Sequence, residues 1–299
     1  MKLTLLRVIT VTTVVLTVLV HPRPGYAAHT PDPSDPGAEW TYFAWVSLDD
    51  NIWIAPFYLN PPRLGDAFTI TDDGRQDEDE SAQYRLLDWS PDGSWLPFYR
   101  YHSVSFSEVD GELYFYNARS GEVRVVDGKV TQPELTGSWE PDGSLFAAPL
   151  SGTLGILDPD TGEVLTVIDP QWDSGIYSPV WSPDGTKIGF GGGSHATAQS
   201  DFGTYDFRLE RLYDWGDKCG RPVWDAQSLG LYCDGITAVG KPEHDRDIYY
   251  RSADAGEPRV GWSVGPLEVD LHPAVVLDGS TLSVVRSYFF EGAHSEYID

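Results

Sequence analysis

The sequence predicts an all-β chain that folds as a single β-propeller of about six four-stranded blades, on three observations. Leu-Asp-Trp-Ser-Pro-Asp-Gly-Ser at 87–94 returns as Gly-Ser-Trp-Glu-Pro-Asp-Gly-Ser at 137–144 and Pro-Val-Trp-Ser-Pro-Asp-Gly-Thr at 179–186, with a decayed copy, Pro-Val-Trp-Asp-Ala-Gln-Ser-Leu, at 222–229. Trp89, Trp139, Trp181 and Trp224 are spaced 50, 42 and 43 residues apart, close to the period of four-strand units. Composition agrees: 30 Gly, 22 Pro and 39 aromatic residues suit short strands joined by tight turns.

Each copy encodes a hairpin. Proline fixes φ at the first corner, aspartate tolerates the next, and glycine takes positive φ to let the strand return. Apolar runs follow, as in Ser144-Leu-Phe-Ala-Ala148 and Lys187-Ile-Gly-Phe190. A second turn recurs downstream as Arg119-Ser-Gly-Glu-Val123, Asp160-Thr-Gly-Glu-Val164 and Asp254-Ala-Gly-Glu-Pro258. A unit therefore reads as strand A, the Pro-Asp-Gly turn, strand B, a connection, strand C, the Gly-Glu turn and strand D.

In chain order, residues 1–27 read as a signal peptide. Lys2 and Arg7 precede or open an uncharged apolar run, Val8 to Val20, and Gly25-Tyr-Ala27 offers small residues for cleavage after Ala27 or Ala28. The run is shorter than a bilayer span, so no membrane span is expected after cleavage and the mature chain is expected in the periplasm or secreted. Removing Lys2, Arg7 and Arg23, and no acid, takes the net charge from −26 to −29. Such a field repels nucleic acid and anionic membrane surfaces. Residues 28–39 form a Pro-rich polar leader, and 40–299 form the propeller.

Asn51 to Thr71 reads as strands C and D ahead of the first complete blade. Segments near 40–71, 84–127, 135–168, 177–215, 219–262 and 268–299 make six units, the first lacking strand A and the last lacking strand D. Merging the two end segments would make five. Cys219 and Cys233 bracket a strand-turn-strand segment, and in an oxidising compartment they are expected to form a disulfide.

The Trp-Ser-Pro-Asp-Gly turn resembles the WD40-like PD40 repeat of the TolB family of periplasmic propellers, over most of the chain from about residue 40. That resemblance implies a six-bladed architecture. The sequence departs from the family in encoding no TolB N-terminal α/β domain, so the architecture carries over and the partnership with the Tol–Pal system does not.

Antiparallel strands put the A–B and C–D turns on one face and the B–C and D–A connections on the other. The expected long connections are Tyr101–Gly111, Gly191–Asp206, Asp234–Asp247 and Ser287–Glu296. They hold His102, His195, His244 and His294, with Asp201, Glu243, Asp245 and Glu291 as companions for a partner or a transition metal. No two of these histidines have a close metal spacing, and solvated loop side chains are the simpler account. The acidic run Thr71 to Glu80 offers Asp72, Asp73, Asp77 and Asp79 as oxygen ligands for a divalent metal, although Gly74 falls at the wrong offset for an EF-hand. Gly191-Gly-Gly-Ser-His195 lacks the Lys-Ser/Thr continuation of a phosphate loop, and no Gly-x-Ser-x-Gly occurs.

The function expected is that of a non-catalytic, monomeric exported scaffold that binds a protein, peptide or glycan through the B–C and D–A face, with no required cofactor. The alternative is a metal-assisted, lactonase-like propeller hydrolase with Asp88, Asp270 and His272 near the channel mouth.

Overall fold

A computed structural model describes residues 40–74, 82–105, 108–130, 136–172, 175–194, 199–217, 222–236, 246–253, 259–262, 268–275, 282–290 and 293–298. Every named secondary-structure element among them is a strand. The first sheet holds β1 (Trp40–Val46), β2 (Ile52–Leu59), β3 (Pro62–Leu64) and β4 (Phe68–Thr69), with β3 and β4 both pairing β2. The next three sheets are four-stranded and antiparallel. They are β5 (Gln83–Leu86) to β6 (Trp95–Ser105), β7 (Glu108–Asn117) and β8 (Val123–Val130); β9 (Ser138–Trp139), β10 (Phe146–Leu150), β11 (Thr153–Leu157) and β12 (Val164–Ile168); and β13 (Ile176–Trp181), β14 (Lys187–Ser194), β15 (Gln199–Asp206) and β16 (Arg211–Asp217).

The last sheet joins two units. In the first, β17 (Val223–Trp224) pairs β18 (Gly230–Ile236), which pairs β19 (Arg246–Ser252), with β20 (Arg259–Trp262) also on β19. The second is β21 (Glu268–Val275), β22 (Leu282–Phe290) and β23 (Ala293–Ile298), joined to β19 by the parallel pairing of Arg246 with Val269. The end segment thus builds three strands of its own, and β21 pairs β22 rather than completing the first sheet. Among the described residues the first unit has β1 to β4 and no strand A, and the last has three strands and no strand D.

The turn motif closes the hairpins by the expected physics. Gly93, Gly143 and Gly185 sit at φ 70°, 78° and 68°. Each donates its N–H to the carbonyl three residues back, at Ser90, Glu140 and Ser182. In the decayed copy Ser228 takes the same place at φ 59° and donates to Asp225. The turn survives the loss of its proline and glycine because the backbone pattern and the Asp225 side chain, which accepts from the N–H of Gln227 and Leu229, still organise it.

Cores lie between consecutive sheets. Strand alternation sends Phe146 and Ala148 of β10 toward Tyr99, Leu113 and Phe115 of the preceding sheet, while Ala147 faces Ile176, Ile188 and Phe190 of the following one. Ile52 and Ile54 likewise pack with Leu96, Phe98 and Tyr116. A radial stack of sheets sharing such cores is what the repeat demands, since no single blade can bury both of its faces alone.

Indoles of the repeat pin neighbouring blades. Trp139 Nε1 donates to the carbonyl of Asp88 at 2.8 Å, and Trp224 Nε1 donates to that of Val180 at 2.9 Å. In each case the acceptor immediately precedes the tryptophan of the preceding repeat. These tryptophans are packing and seam residues.

Candidate functional site

The two faces of the propeller are built differently. On the hairpin face, aspartate organises each A–B turn. Asp92 Oδ1 accepts from Ser90 Oγ at 2.7 Å, Ser94 N at 3.0 Å and Ser94 Oγ at 2.6 Å. Asp184 repeats this with Ser182 and Thr186. Burial is the largest single influence on the Asp92 carboxyl and pushes it up. Hydrogen bonds from Ser94 and Ser90, with the Arg119 charge, together hold it below the usual carboxylate range. Arg119, in the C–D turn, bonds Asp92 at 3.0 Å and so places both turns on one face. Asp184 is lowered in the same way: burial raises it, and bonds from Ser182 and Thr186 outweigh that.

The connection face carries no repeat. Asn51, at the end of the β1–β2 connection, accepts through Oδ1 from Gly74 N at 2.9 Å and from Thr71 Oγ1 at 3.2 Å. A Cβ at Gly74 would lie 2.5 Å from the backbone of Asp50, so glycine alone lets these two connections touch. Next to them Asp73 accepts from Arg100 Nε at 2.9 Å and Nη2 at 2.7 Å, and from the Tyr84 hydroxyl. Burial raises the Asp73 carboxyl, but Tyr84 and Arg100 overcome it and hold the group below its ordinary value. The same contact, after burial, pushes the Tyr84 phenol up. Phe98 lies between Tyr84 and Tyr114, stacked on Tyr114 at 5.3 Å with planes 9° apart. Burial and a 2.7 Å bond to Glu112 push the Tyr114 phenol up to about 12.

Further round this face, Thr136 accepts the Tyr99 hydroxyl on its carbonyl at 2.8 Å and the Ser178 N–H on its hydroxyl at 3.0 Å. Trp172 lies over β14 and β15: a Cβ at Gly192 would come within 2.3 Å of its ring, and one at Gly203 within 3.2 Å. Tyr177 occupies the corresponding space over Gly191. Gly191 and Gly192 are therefore strand positions kept bare so that aromatic rings can lie on them, and form no phosphate loop.

The expected long loops are mostly strand. Tyr101–Gly111 is taken up by β6 and β7, leaving residues 106–107 between them, and Gly191–Asp206 by β14 and β15, leaving 195–198. Similarly, β22 and β23 take up all but 291–292 of Ser287–Glu296. Alternating side chains continue the ladders past the point where Gly and Ser suggested loops. His102 accordingly stands on β6 opposite Asp110, half-buried, and Asp201 on β15 opposite Gly192 and Asp217. His294 is on β23 opposite Phe289. His195, Glu243 and His244 lie outside the described residues, as do Asp77 and Asp79.

Asp72 is exposed beside Asp73, whose oxygens are taken by a guanidinium and a phenol. Asp88 is bound through its carbonyl by Trp139, and Asp270 lies on β21 opposite Arg286. Among the described residues no group of three or more His, Cys, Asp or Glu is arranged to hold a metal ion. No described helix is long and apolar enough to cross a membrane. Cys233 is buried and disulfide-bonded; Cys219, the chain's other cysteine, lies outside the described residues.

Sequence reasoning missed Asn51, Tyr84, Arg100, Thr136 and Trp172. Gly74 was a legible signal, since an isolated glycine in an acidic run marks close backbone approach; the Arg100 pairing depends on blade-to-blade geometry that no local pattern encodes.

The molecule is an all-β propeller. No protein-family model matches the chain, and no curated protein matches it. Solved propellers do: TolB from Acinetobacter baumannii (14% identity over 87% of this chain and 60% of that one, TM-score 0.48); oligogalacturonate lyase from Vibrio parahaemolyticus (14%, 87% and 69%, TM-score 0.53); and the β-propeller domain of the Trilobed protease from Pyrococcus furiosus (14%, 87% and 76%, TM-score 0.51). The chain spans 60% of the length of that TolB. At these identities the likeness to the latter two of these structures shows the fold alone, which an oligogalacturonate lyase and the propeller domain of a protease share.

Proposed function

We propose that this chain is a non-catalytic, exported binding scaffold that presents its connection face to a protein, peptide or glycan outside the cytoplasm. One observation carries the reading. The connection face is tied by non-repeating polar links (Asn51 to Gly74, Asp73 to Arg100 and Tyr84, Thr136 to Tyr99 and Ser178), whereas the hairpin face repeats one Asp-centred turn. Surfaces that recognise a partner need side chains particular to one place on a rigid support. The mature chain works as a monomer, its signal segment removed near Ala27 and Cys219 paired with Cys233.

The test compares two sets of exposed or half-exposed substitutions: His102→Ala with Asp201→Ala on the connection face, and Asp142→Ala on the hairpin face. Affinity for the partner recovered from the exported fraction falls with the first set and is unchanged by the second. Loss on the hairpin side alone contradicts the proposal. N-terminal sequencing of exported protein reads the cleavage point; a retained Met1 contradicts removal of the signal segment.

A further inference from the structure

The outer strands of the blades differ in how they protect their open edges. Natural sheets blunt such edges with charge, proline or bulges, because unpaired N–H and C=O groups invite a further strand. β8 carries Arg124, Asp127 and Lys129, with ion pairs from Arg124 to Glu122 at 3.0 Å and from Lys129 to Asp110 at 3.1 Å. β16 carries Arg211, Asp214 and Asp217, β3 contains Pro62 and Arg63, β20 begins with Arg259, β23 holds Glu296, and the uncharged β4 is only two residues long.

β12 differs. Its sequence, Val-Leu-Thr-Val-Ile, has neither charge nor proline, and it is the terminal strand of its sheet. Leu165 and Val167 point outward at 53% and 58% exposure, while Ile168 is buried at 4%. Register shifts at Ile156/Leu157 leave Leu165 as the bulged residue, and Thr166, Val167 and Ile168 run straight against Ile156, Gly155 and Leu154. Acids bracket the strand: exposed Glu163 precedes it and exposed Asp169 follows it. Asp158 and Asp160, in the preceding turn, are near enough to Arg124 to raise its pKa, though Glu122 is the larger cause.

We propose that the open edge of β12 is a docking site for an extended segment whose alternating apolar residues are flanked by Lys or Arg. Backbone pairing with Thr166–Ile168 would supply the affinity. Contacts on Leu165 and Val167 would select apolar residues at alternate positions, and Glu163 and Asp169 would select the basic flanks. The site is on the rim of the propeller, apart from the connection face, and stands independently of the reading given for that face.

The probe is the peptide Lys-Lys-Val-Thr-Val-Thr-Val-Lys-Lys, labelled and titrated with the full chain by fluorescence anisotropy. Saturable binding is expected, weakened about tenfold or more in the Leu165→Lys/Val167→Lys variant, where two like charges oppose the peptide. A peptide with Glu in place of the flanking Lys should bind correspondingly less well. Absence of binding, equal binding by the Glu-flanked peptide, or unchanged binding by the variant overturns the proposal. Hydrogen exchange on the unsubstituted chain gives a reading that does not depend on the variant folding. Peptide should slow exchange across residues 164–168, and no slowing there contradicts the site. Sedimentation of the chain alone distinguishes a second copy as occupant: a dimer dissolved by the same two lysines would overturn the assignment to a basic partner.

Discussion

The hairpin face and the connection face are made by the same strands and read as different kinds of surface. On the hairpin face each A–B turn solves the same problem with much the same residues. Asp92 and Asp184 each gather a hydroxyl on one side, and a hydroxyl and an N–H on the other. On the connection face the links from Asp73 to Arg100 and Tyr84 and from Thr136 to Tyr99 and Ser178 are each made once, and they tie a connection to neighbouring blades. A repeated solution serves the scaffold; a solution found once is free to serve a particular partner.

Substitutions can break or sharpen that contrast. The largest effect should come from Phe146→Ala, at the seam beneath both faces, where the ring is fully buried and meets Phe115 edge-on at 5.5 Å and Trp139 at 4.9 Å. Urea denaturation should show a loss of about 3–5 kcal/mol, with both faces loosened together. Gly192→Ala comes next. Its methyl would overlap the Trp172 ring, and about 1–3 kcal/mol of overpacking is expected in the same measurement.

Asp92→Ala should cost about 1–2 kcal/mol by removing the acceptor for two hydroxyls and an N–H. Asp142→Ala, which takes one N–H from an exposed turn, should cost about 0.5 kcal/mol. The Asp92 effect also has a pH signature. Its folded pKa is below the unfolded value, so its contribution is complete above about pH 4 and is lost as pH falls through the depressed folded value. Acid unfolding curves of Asp92→Ala and the unsubstituted chain should therefore converge at the acid end. Arg100→Gln should have the smallest effect on stability, about 0.2–0.5 kcal/mol for a half-exposed pair, while lowering partner affinity because Asp73 and the connection behind it lose their anchor.

Much of the fold was legible in the sequence because its determinants are local. Proline, aspartate and glycine at fixed offsets dictate a turn, and the 42–50-residue spacing of the tryptophans dictates the unit. Even the decayed copy at Asp225 to Ser228 keeps its turn. The connection face was much less legible. Gly and Ser at 191–194 suggested a loop where β14 continues under Trp172 and Tyr177, and 101–105 continues as strand because the ladder with β7 extends past Gly111. Asp73 read as a metal oxygen, while its partners Arg100 and Tyr84 come from the next blade, 27 and 11 residues on. Contacts between blades depend on the ring, and no local pattern announces them.

The most direct test of the connection-face reading is a hydrogen-exchange footprint of the full chain with and without the partner recovered from the exported fraction. Slower exchange at 47–51, 70–74 and 100–102, with no change at 90–94, 140–144 and 182–186, is the predicted result. Slower exchange confined to the Pro-Asp-Gly turns, with the connection side unchanged, would contradict it.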